Sequence, residues 1–372
     1  MNETTKNQPG RRGPLKDLRV VEFAGIGPGP FACMLLSDMG ADVVTVDRPG
    51  ARMADARQVV QRGRTVVHAD LKDAADIERV LTLLENADVL VEGFRPGVME
   101  RLGLGPDVVA RRNPRLVYAR MTGWGQTGPL ALAAGHDINY IAITGALHAI
   151  GTAERPVPPL NLLGDYGGGS LYLVVGVLAA VHEARLSGRG QVVDAAISDG
   201  VVSLMAQFIS QGQRGTFKES RESNLLDGGT PWYGVYETAD AGHVSIGALE
   251  PQFFARFCEV AGVAPEWHAV QKEEGRWPAF RDYLSGHFRQ RTLADWQSIL
   301  EGSDSCFAPV LPLSEAMRHP HIKAREAFVS VEGVVHPAPA PRFSRTPSAV
   351  QSPPASTKAN LGSVVTSWLP TD

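Results

Sequence analysis

The sequence is short of cysteine and has no large excess of charge of either sign. Its 372 residues include three cysteines, Cys33, Cys258 and Cys306, which are far apart and odd in number. Such a set favours neither a disulfide framework nor a zinc cluster, so a reducing compartment fits best. Lysine and arginine total 36 against 40 acidic residues, a net charge of −4. A dedicated nucleic-acid-binding protein usually has a strong basic excess, so we expect no nucleic-acid partner.

Long apolar runs are also missing. The longest covers residues 171–181, about half of the roughly 20 residues that span a bilayer. The first thirteen residues contain no apolar stretch, so we expect no signal peptide and interpret residues 1–13 as a disordered tail. The last residues, 368–372, do not match a peroxisomal address. Together these features predict a cytoplasmic protein that does not associate with membranes.

The N-terminal half alternates short β-type runs with helical patterns. One helix is predicted over residues 31–39, and a second from the N-cap Asp73 to Glu85. Strands are predicted at residues 18–24, 41–47, 65–71, 88–91, 116–121 and 191–197. Because parallel strands need crossover connections, strands separated by helices indicate an α/β fold with a parallel sheet.

The chain changes character after about residue 225. Residues 232–238 and 243–248 flank a glycine-containing turn and predict an antiparallel hairpin, with helices following at 251–263 and 277–291. From about residue 335 the sequence is rich in proline, which predicts an extended path over the surface. We therefore divide the chain into the tail 1–13, a large domain over 14–200 with 335–372, a linker helix over 201–225, and a small α+β domain with a return linker over 226–334.

A glycine-rich turn, Gly25-Ile26-Gly27-Pro28-Gly29-Pro30, lies between the first predicted strand and helix. Asp47 ends the next predicted strand, where a dinucleotide-binding enzyme places its ribose-binding acid. The third glycine of that fingerprint would fall at Pro30, however, and neither Pro28 nor Pro30 has an N–H group to offer a pyrophosphate. The turn therefore predicts a tight structural connection and not an NAD site.

A basic stretch follows the second predicted strand. Between residues 48 and 64, Arg48, Arg52, Arg57, Arg62 and Arg64 face a single acidic residue, Asp55, a local net charge of +4. Arginine binds phosphate through paired hydrogen bonds, and open α/β sheets bind ligands at the carboxyl ends of their strands. The stretch is equally well explained as a solvated surface loop or as the site of a small ligand with several phosphates.

Three residues are candidates for acid/base chemistry. His136 follows a glycine, Asp165 precedes the glycine run 167–169 and a strong helical pattern, and Glu250 precedes another. Taken singly, each is more often structural than catalytic. An acidic residue at a helix start, such as Asp165 or Glu250, caps the helix or interacts well with its dipole. The glycine run is poor for helix formation but allows a ligand to approach exposed N–H groups.

Five segments carry a resemblance to a known family: Val46–Gly50, Gly135–Tyr140, Leu162–Gly169, Leu226–Gly229 and Gly247–Phe253. From about Pro14 to Pro347 the sequence resembles the α-methylacyl-CoA racemase branch of the family III CoA-transferases. The resemblance implies an interlocked homodimer whose subunits each have a large Rossmann-like domain and a small α+β domain. It also implies an active site between the large domain of one subunit and the small domain of the other.

The resemblance assigns roles residue by residue. The acid/base pair falls on His136 and Asp165, and Glu250 of the other subunit is expected to support the histidine. Contacts to CoA are expected from Arg48, Lys72, Arg95, Arg101, Asp137 and Tyr140, the last two beside the pantetheine and thioester. Backbone amides near Gly167 and Gly168 are candidates to stabilise an enolate oxygen. The conservative departure at Leu249, where isoleucine is more usual, puts little in doubt.

The function implied is inversion of the α-carbon of 2-methylacyl-CoA thioesters in lipid metabolism, with branched fatty acyl and sterol side-chain thioesters both fitting. Two bases on opposite faces would exchange the proton, with no metal and no cofactor beyond the CoA of the substrate. The main alternative is a CoA-transferase of the same family in which Asp165 is a covalent nucleophile. The segment Gly135–Tyr140 favours the racemase, since a transferase needs the carboxylate but no second base. A non-catalytic acyl-CoA-binding protein is the third hypothesis.

Overall fold

The computed structural model describes residues 10–369. The strands are β1 (Arg19–Phe23), β2 (Asp42–Asp47), β3 (Arg64–His68), β4 (Val89–Glu92), β5 (Val117–Thr122), β6 (Val192–Ala196), β7 (Tyr233–Glu237), β8 (His243–Gly247), β9 (Phe307–Val310), β10 (Phe328–Val331) and β11 (Val334–Pro337). The helices are α1 (Pro28–Asp38), α2 (Ala74–Glu85), α3 (Val98–Arg101), α4 (Pro106–Arg112), α5 (Asp137–Ala142), α6 (Ala146–Ala149), α7 (Tyr172–Ser187), α8 (Ile197–Leu204), α9 (Ala206–Gln213), α10 (Pro251–Ala261), α11 (Trp277–Phe288), α12 (Leu293–Leu300), α13 (Leu313–Ala316), α14 (Pro320–Ala324) and α15 (Leu361–Trp368).

The first six strands form one parallel sheet in the order β3-β2-β1-β4-β5-β6. This is the order of a Rossmann-type fold, in which the chain changes direction between the two halves of the sheet. Ligands in such sheets bind beyond the carboxyl ends of the strands, at the point where the order reverses. The α/β prediction with its parallel sheet is confirmed, and all six predicted strands are present.

Helix α2 shows how local sequence produces this layer. The Asp73 side chain accepts hydrogen bonds from the N–H groups of Ala75 and Asp76, as an N-cap does. Val80 and Leu84 on its inner face are fully buried in the core against the sheet. Burying a side chain of this size stabilises the fold by about 1.5–3 kcal/mol, so the apolar face, more than helix propensity, holds α2 in place.

The glycine-proline turn leads directly into α1. That helix begins at Pro28, three residues before the predicted start, with Gly27 as its N-cap at φ 71°. Proline is well suited to the first helical position because its fixed φ matches the helix and its missing N–H has no partner there anyway. Gly27 has a positive φ, which other residues adopt only at a cost.

The segment around Asp165 differs from its prediction. Leu162–Leu171 forms a π-helix that continues into α7, so the glycine run lies within a helix and not in an open loop before it. A π-helical stretch is rare and is often found at functional sites. It widens the turn that contains Asp165, which a sequence pattern of period 3.6 does not predict.

In the described part of the chain one helical stretch, Leu162–Ser187, is long and apolar enough to cross a membrane by length and composition alone. In the folded chain α7 packs against β5 and β6, and Leu173 and Val177 are fully buried. This is how a central helix of an α/β fold behaves. The other side of this helical stretch is open within the chain, since Leu171 of the π-helix is 50% exposed and Val175 of α7 is 65% exposed.

Two smaller antiparallel sheets accompany the parallel sheet, one formed by β10 and β11 and the other three-stranded. β7 and β8 pair as the predicted hairpin, and β9 adds to β8 as a third strand. An aromatic core that includes Phe254, Phe257 and Trp296 is buried beside these strands. The two predicted helices are present as α10 and α11 and end two to three residues earlier than predicted.

The chain forms two compact units. The first contains the parallel sheet, continues to Thr144, includes Leu160–Met205 and resumes at Glu326. The second consists of Gly145–Pro159 and Ala206–Arg325 and contains the three-stranded antiparallel sheet. Relative to the predicted boundaries, residues 145–159 lie in the second unit and residues 326–334 in the first.

The two ends of the described chain are held by specific contacts. Residues 1–9 of the predicted disordered tail lie outside the described part, but Arg11 forms an ion pair with Asp42 at 2.8 Å, so the tail prediction does not hold there. Toward the other end, residues 338–360 contain neither helix nor strand, consistent with their prolines. The short helix α15, which Asn360 caps, is not predicted by the sequence pattern.

A buried charged cluster fixes the return of the chain from the second unit. Arg62 donates two hydrogen bonds to the Asp38 carboxylate, at 3.0 and 2.6 Å, and one to the Pro337 carbonyl at 2.8 Å. His336, also buried, accepts a further one through Nδ1 at 3.4 Å. The cluster joins α1, the start of β3 and the end of β11.

We expect His336 to make the stability of the protein depend on pH. Burial, and then the Arg62 charge, lower the pKa of His336 from 6.5, so the folded state favours the neutral ring. This contribution to stability is complete above pH 6.5 and is lost as the pH falls through the lower pKa of the folded state. Urea unfolding at a series of pH values checks this.

The matched variants for that experiment are His336→Asn, which keeps an acceptor but does not titrate, and His243→Asn at an exposed position. The first should flatten the pH dependence below 6.5, and the second should leave it unchanged. Equal pH dependence in the wild type and His336→Asn would contradict the assignment.

Candidate active site

The two acid/base candidates are brought together in the first unit. His136 is exposed and immediately precedes α5, whereas Asp165 is half-buried in the first turn of the π-helix. They are close enough for the His136 charge to lower the pKa of Asp165. The third candidate, Glu250, is exposed in the second unit, where it precedes α10 as predicted.

The environment of Asp165 favours its protonated form. Burial raises the pKa of this carboxyl most, and the neighbouring Asp137 charge raises it further. A hydrogen bond from Asn161 and the His136 charge act in the opposite direction, but the net shift is upward. A raised pKa makes Asp165 a stronger base than an ordinary aspartate when it is ionised.

The glycine-proline turn forms one wall beside Asp165. A Cβ atom at Gly27 would lie 3.0 Å from Asp165 Oδ2, so the backbone of the turn runs along the carboxylate. Tyr166, the next residue, stacks on Phe31 of α1 with ring centroids 4.1 Å apart. The turn, which does not match a dinucleotide-binding motif, therefore borders the Asp165 carboxylate.

Tyr140 is engaged with the protein. Its hydroxyl donates to the Gly135 carbonyl, and its ring meets Trp124 edge-on with centroids 4.7 Å apart. Burial raises the pKa of Tyr140, with the Asp165 charge adding to the rise and the Arg95 charge opposing it. Tyr140 therefore fixes the loop before His136. Its hydroxyl is affected both by Asp165 of the acid/base pair and by Arg95, a cation expected to bind CoA.

The cations expected to bind CoA remain available. The exposed side chains of Arg48, Lys72 and Arg95 make no hydrogen bond or ion pair with any residue of the described chain. Arg48 follows β2, Lys72 follows β3 and Arg95 follows β4, so all lie beyond the carboxyl ends of sheet strands. Arg101, also exposed, ends α3 beside the loop after β4.

The basic stretch is less cationic than the sequence count implies. Arg62 and Arg64 are buried and form ion pairs with Asp38 and Glu22, at 2.6 and 3.3 Å. Arg57 pairs with Asp55 at 2.8 Å on the surface. The two buried acids come from α1 and β1, distant in sequence, so counting charges between residues 48 and 64 overstated the field available to a ligand.

The glycine run is used for packing. Gly168 is buried, and a Cβ atom there would lie 2.5 Å from the Val201 side chain of α8. Gly200 of α8 approaches the Gly168 carbonyl so closely that its own Cβ atom would lie 1.9 Å from that oxygen. This placement does not support an exposed amide at Gly168, while Gly167, which is partly exposed, stays a predicted oxyanion donor.

Within residues 10–369, no group of three or more His, Cys, Asp and Glu side chains is arranged to hold a metal ion.

Sequence reasoning missed two neighbours of Asp165. Asn161 donates to its carboxylate, and Gly27 borders it. No local pattern marks either residue, because both roles depend on where α1 and the π-helix meet.

Comparison with known proteins places the chain in a class that its fold and site already suggest. Residues 15–358 match the model of CoA-transferase family III, and the chain belongs to this family. It is 42% identical to the α-methylacyl-CoA racemase of Mus musculus and 40% identical to that of Homo sapiens. Each match extends over 336 residues, 90% of this chain and 87% of the relative. A crystal structure of a CAIB/BAIF family protein from Brucella suis is similar with a TM-score of 0.76 and 25% identity, covering 93% of this chain and 96% of that one.

Proposed function

We propose that this protein is a racemase that inverts the α-carbon of 2-methylacyl-CoA thioesters. The observation that carries the proposal is the meeting of His136 and Asp165 at the carboxyl side of the sheet, where the His136 charge acts on the Asp165 carboxyl. The 40–42% identity to two α-methylacyl-CoA racemases supports the same reaction. Lipid metabolism follows as the setting, with branched acyl chains as the substrates.

The proposed chemistry needs one base on each face of the α-carbon. One group starts as a base and removes the α-proton, and the C–H electron pair moves into the thioester to give an enolate. The other group starts protonated and delivers its proton to the opposite face. The roles of His136 and Asp165 exchange with the configuration of the substrate. The raised pKa of Asp165 supports this, since it brings the basicity of the carboxylate closer to that of an imidazole.

The enolate oxygen needs hydrogen-bond donors, which in measured acyl-transfer enzymes contribute about 2.7–4 kcal/mol each. Gly167 is the donor that we propose from the glycine run. The steps use acids, bases and hydrogen bonds alone, so we propose no cofactor and no metal, CoA being part of the substrate. We propose that Arg48, Lys72, Arg95 and Arg101 bind its phosphates.

We also propose a homodimer in which Glu250 of one copy supports His136 of the other. Exposed apolar side chains at Leu171, which ends the π-helix, and at Val175 of α7 support burial of this side against a second copy. A sedimentation mass of one chain would contradict it. The three unpaired cysteines support the proposed reducing, cytoplasmic location.

A CoA-transferase of the same family remains the alternative, with Asp165 attacking the thioester and CoA passing to an acceptor acid. The two reactions separate when one pure enantiomer of a 2-methylacyl-CoA is incubated in D₂O without an acceptor acid. The proposal expects racemisation with deuterium at the α-carbon. If the α-proton does not exchange with D₂O, and CoA is transferred once a free acid is added, the protein is a transferase. Binding without either reaction would establish a non-catalytic protein.

A further inference from the structure

The Asp137 carboxylate joins two elements that are distant in sequence. Asp137 is the first residue of α5, directly after His136, and its Oδ1 accepts the N–H of Asp165 at 2.6 Å. It also accepts the N–H of Gly164. A Cβ atom at Gly164 would lie 2.2 Å from Asp137 Oδ1, so only glycine allows this approach.

We propose that Asp137 is a positioning residue for the racemisation, because its carboxylate ties the backbone of Asp165 to the helix that follows His136. This inference rests on the proposed function and assigns Asp137 a role other than the CoA contact expected from sequence. The carboxylate is turned toward backbone amides of the π-helix, so its hydrogen-bonding capacity is directed at the protein.

Both bases are thereby held by one short helix. The Asn139 side chain of α5 accepts the N–H of His136 at 3.0 Å, and Asp137 of the same helix accepts the N–H of Asp165. A shift of α5 would therefore act on the backbone of both bases at once. Catalysis depends steeply on such geometry, since a displacement of about 1 Å can lower a rate roughly 10²-fold.

The charge of Asp137 has a second consequence at the same place. The pKa of Asp165 depends on burial, on the Asp137 charge, on the Asn161 amide and on His136. Of these, Asp137 is the side chain whose charge raises the pKa of Asp165. The charge of Asp165 in turn raises the pKa of Tyr140. Anchoring and charge can be separated experimentally, because an asparagine keeps the acceptor oxygen and removes the charge.

Two variants and one control make the test. Asp137→Ala removes the acceptor, and Asp137→Asn retains it. Asp88→Ala is the matched control, because Asp88 Oδ2 accepts the Arg19 N–H at 2.8 Å at the opposite, amino edge of the sheet. We would measure kcat and KM for racemisation, the pH profile of kcat/KM, and hydrogen exchange of the Gly164 and Asp165 amides.

Asp137→Ala should lower kcat about 10²-fold, change KM little and speed exchange of the two amides. Asp137→Asn should retain amide protection and most of kcat, with the Asp165 limb of the pH profile moved to lower pH, since the charge that raises its pKa is gone. Asp88→Ala should leave kcat and those two amides as in the wild type.

A large rise in KM with unchanged kcat for Asp137→Ala would overturn the inference in favour of a CoA contact. Unchanged amide exchange in Asp137→Ala would overturn it as well, whatever the activity. If the wild type fails to racemise, the proposed function fails, and the exchange data still decide whether Asp137 anchors Asp165.

Discussion

Replacing Asp165 with asparagine should lower the rate of racemisation by about 10²–10⁴-fold, the usual contribution of a general acid or base. One base, His136, then remains, so the variant should exchange the α-proton of one enantiomer with solvent without inverting it. His136→Gln should do the same for the other enantiomer. Chiral chromatography of the thioesters after incubation in D₂O measures both inversion and exchange.

The control for these variants is Asp107→Asn, which alters an exposed carboxylate in the first turn of α4. It should racemise as the wild type does. If Asp165→Asn and His136→Gln lost exchange of the same enantiomer, the two side chains would not act on opposite faces. Retained racemisation in either variant would remove that residue from the chemistry.

Arg62→Met should lower the free energy of unfolding by about 3–5 kcal/mol, because it leaves the Asp38 carboxylate buried without its partner. Both side chains are 1% exposed, and the pair makes two hydrogen bonds. The double variant Arg62→Met with Asp38→Leu should recover most of the loss, since an apolar pair of similar volume avoids the unpaired charge. Urea unfolding of the wild type, the single variants Arg62→Met and Asp38→Leu, and the double variant gives the coupling free energy directly.

Arg57→Met is the matched control, since Arg57 forms the same kind of pair with Asp55 on the surface. Exposed pairs contribute little to stability, so this variant should unfold at the wild-type urea concentration. Equal losses for Arg57→Met and Arg62→Met would contradict the view that the buried cluster holds the returning chain.

The sequence predicts those parts of the fold that depend on local pattern. Asp73 caps α2 as its spacing indicates, and the alternation of strands and helices gives the parallel sheet. The hairpin of β7 and β8 is equally local, because a glycine turn connects the two strands. Helix α1 begins three residues before its predicted start, because a proline in this position is compatible with both a turn and the first turn of a helix.

Features that depend on tertiary contacts were not predictable in this way. In the sequence Arg62 and Arg64 belong to a basic stretch that fits a surface loop or a phosphate site, and neither interpretation includes the acids of α1 and β1 that pair with them. The π-helix around Asp165 has no period that distinguishes it from an irregular α-helix start. Asp137 and Gly27 act through what the fold brings beside them, so their residue types alone gave no sign of their contacts with Asp165.

The central claim is that two bases act on opposite faces of the α-carbon. The most direct measurement is the fate of the α-proton in the first turnovers of one pure enantiomer in D₂O. Because the base that protonates the product takes its proton from solvent, the account predicts that the newly formed enantiomer carries deuterium from the start. Most of the remaining substrate should still carry protium at that stage. Product that retains the substrate's own proton would mean that a single base transfers it, and would contradict the account.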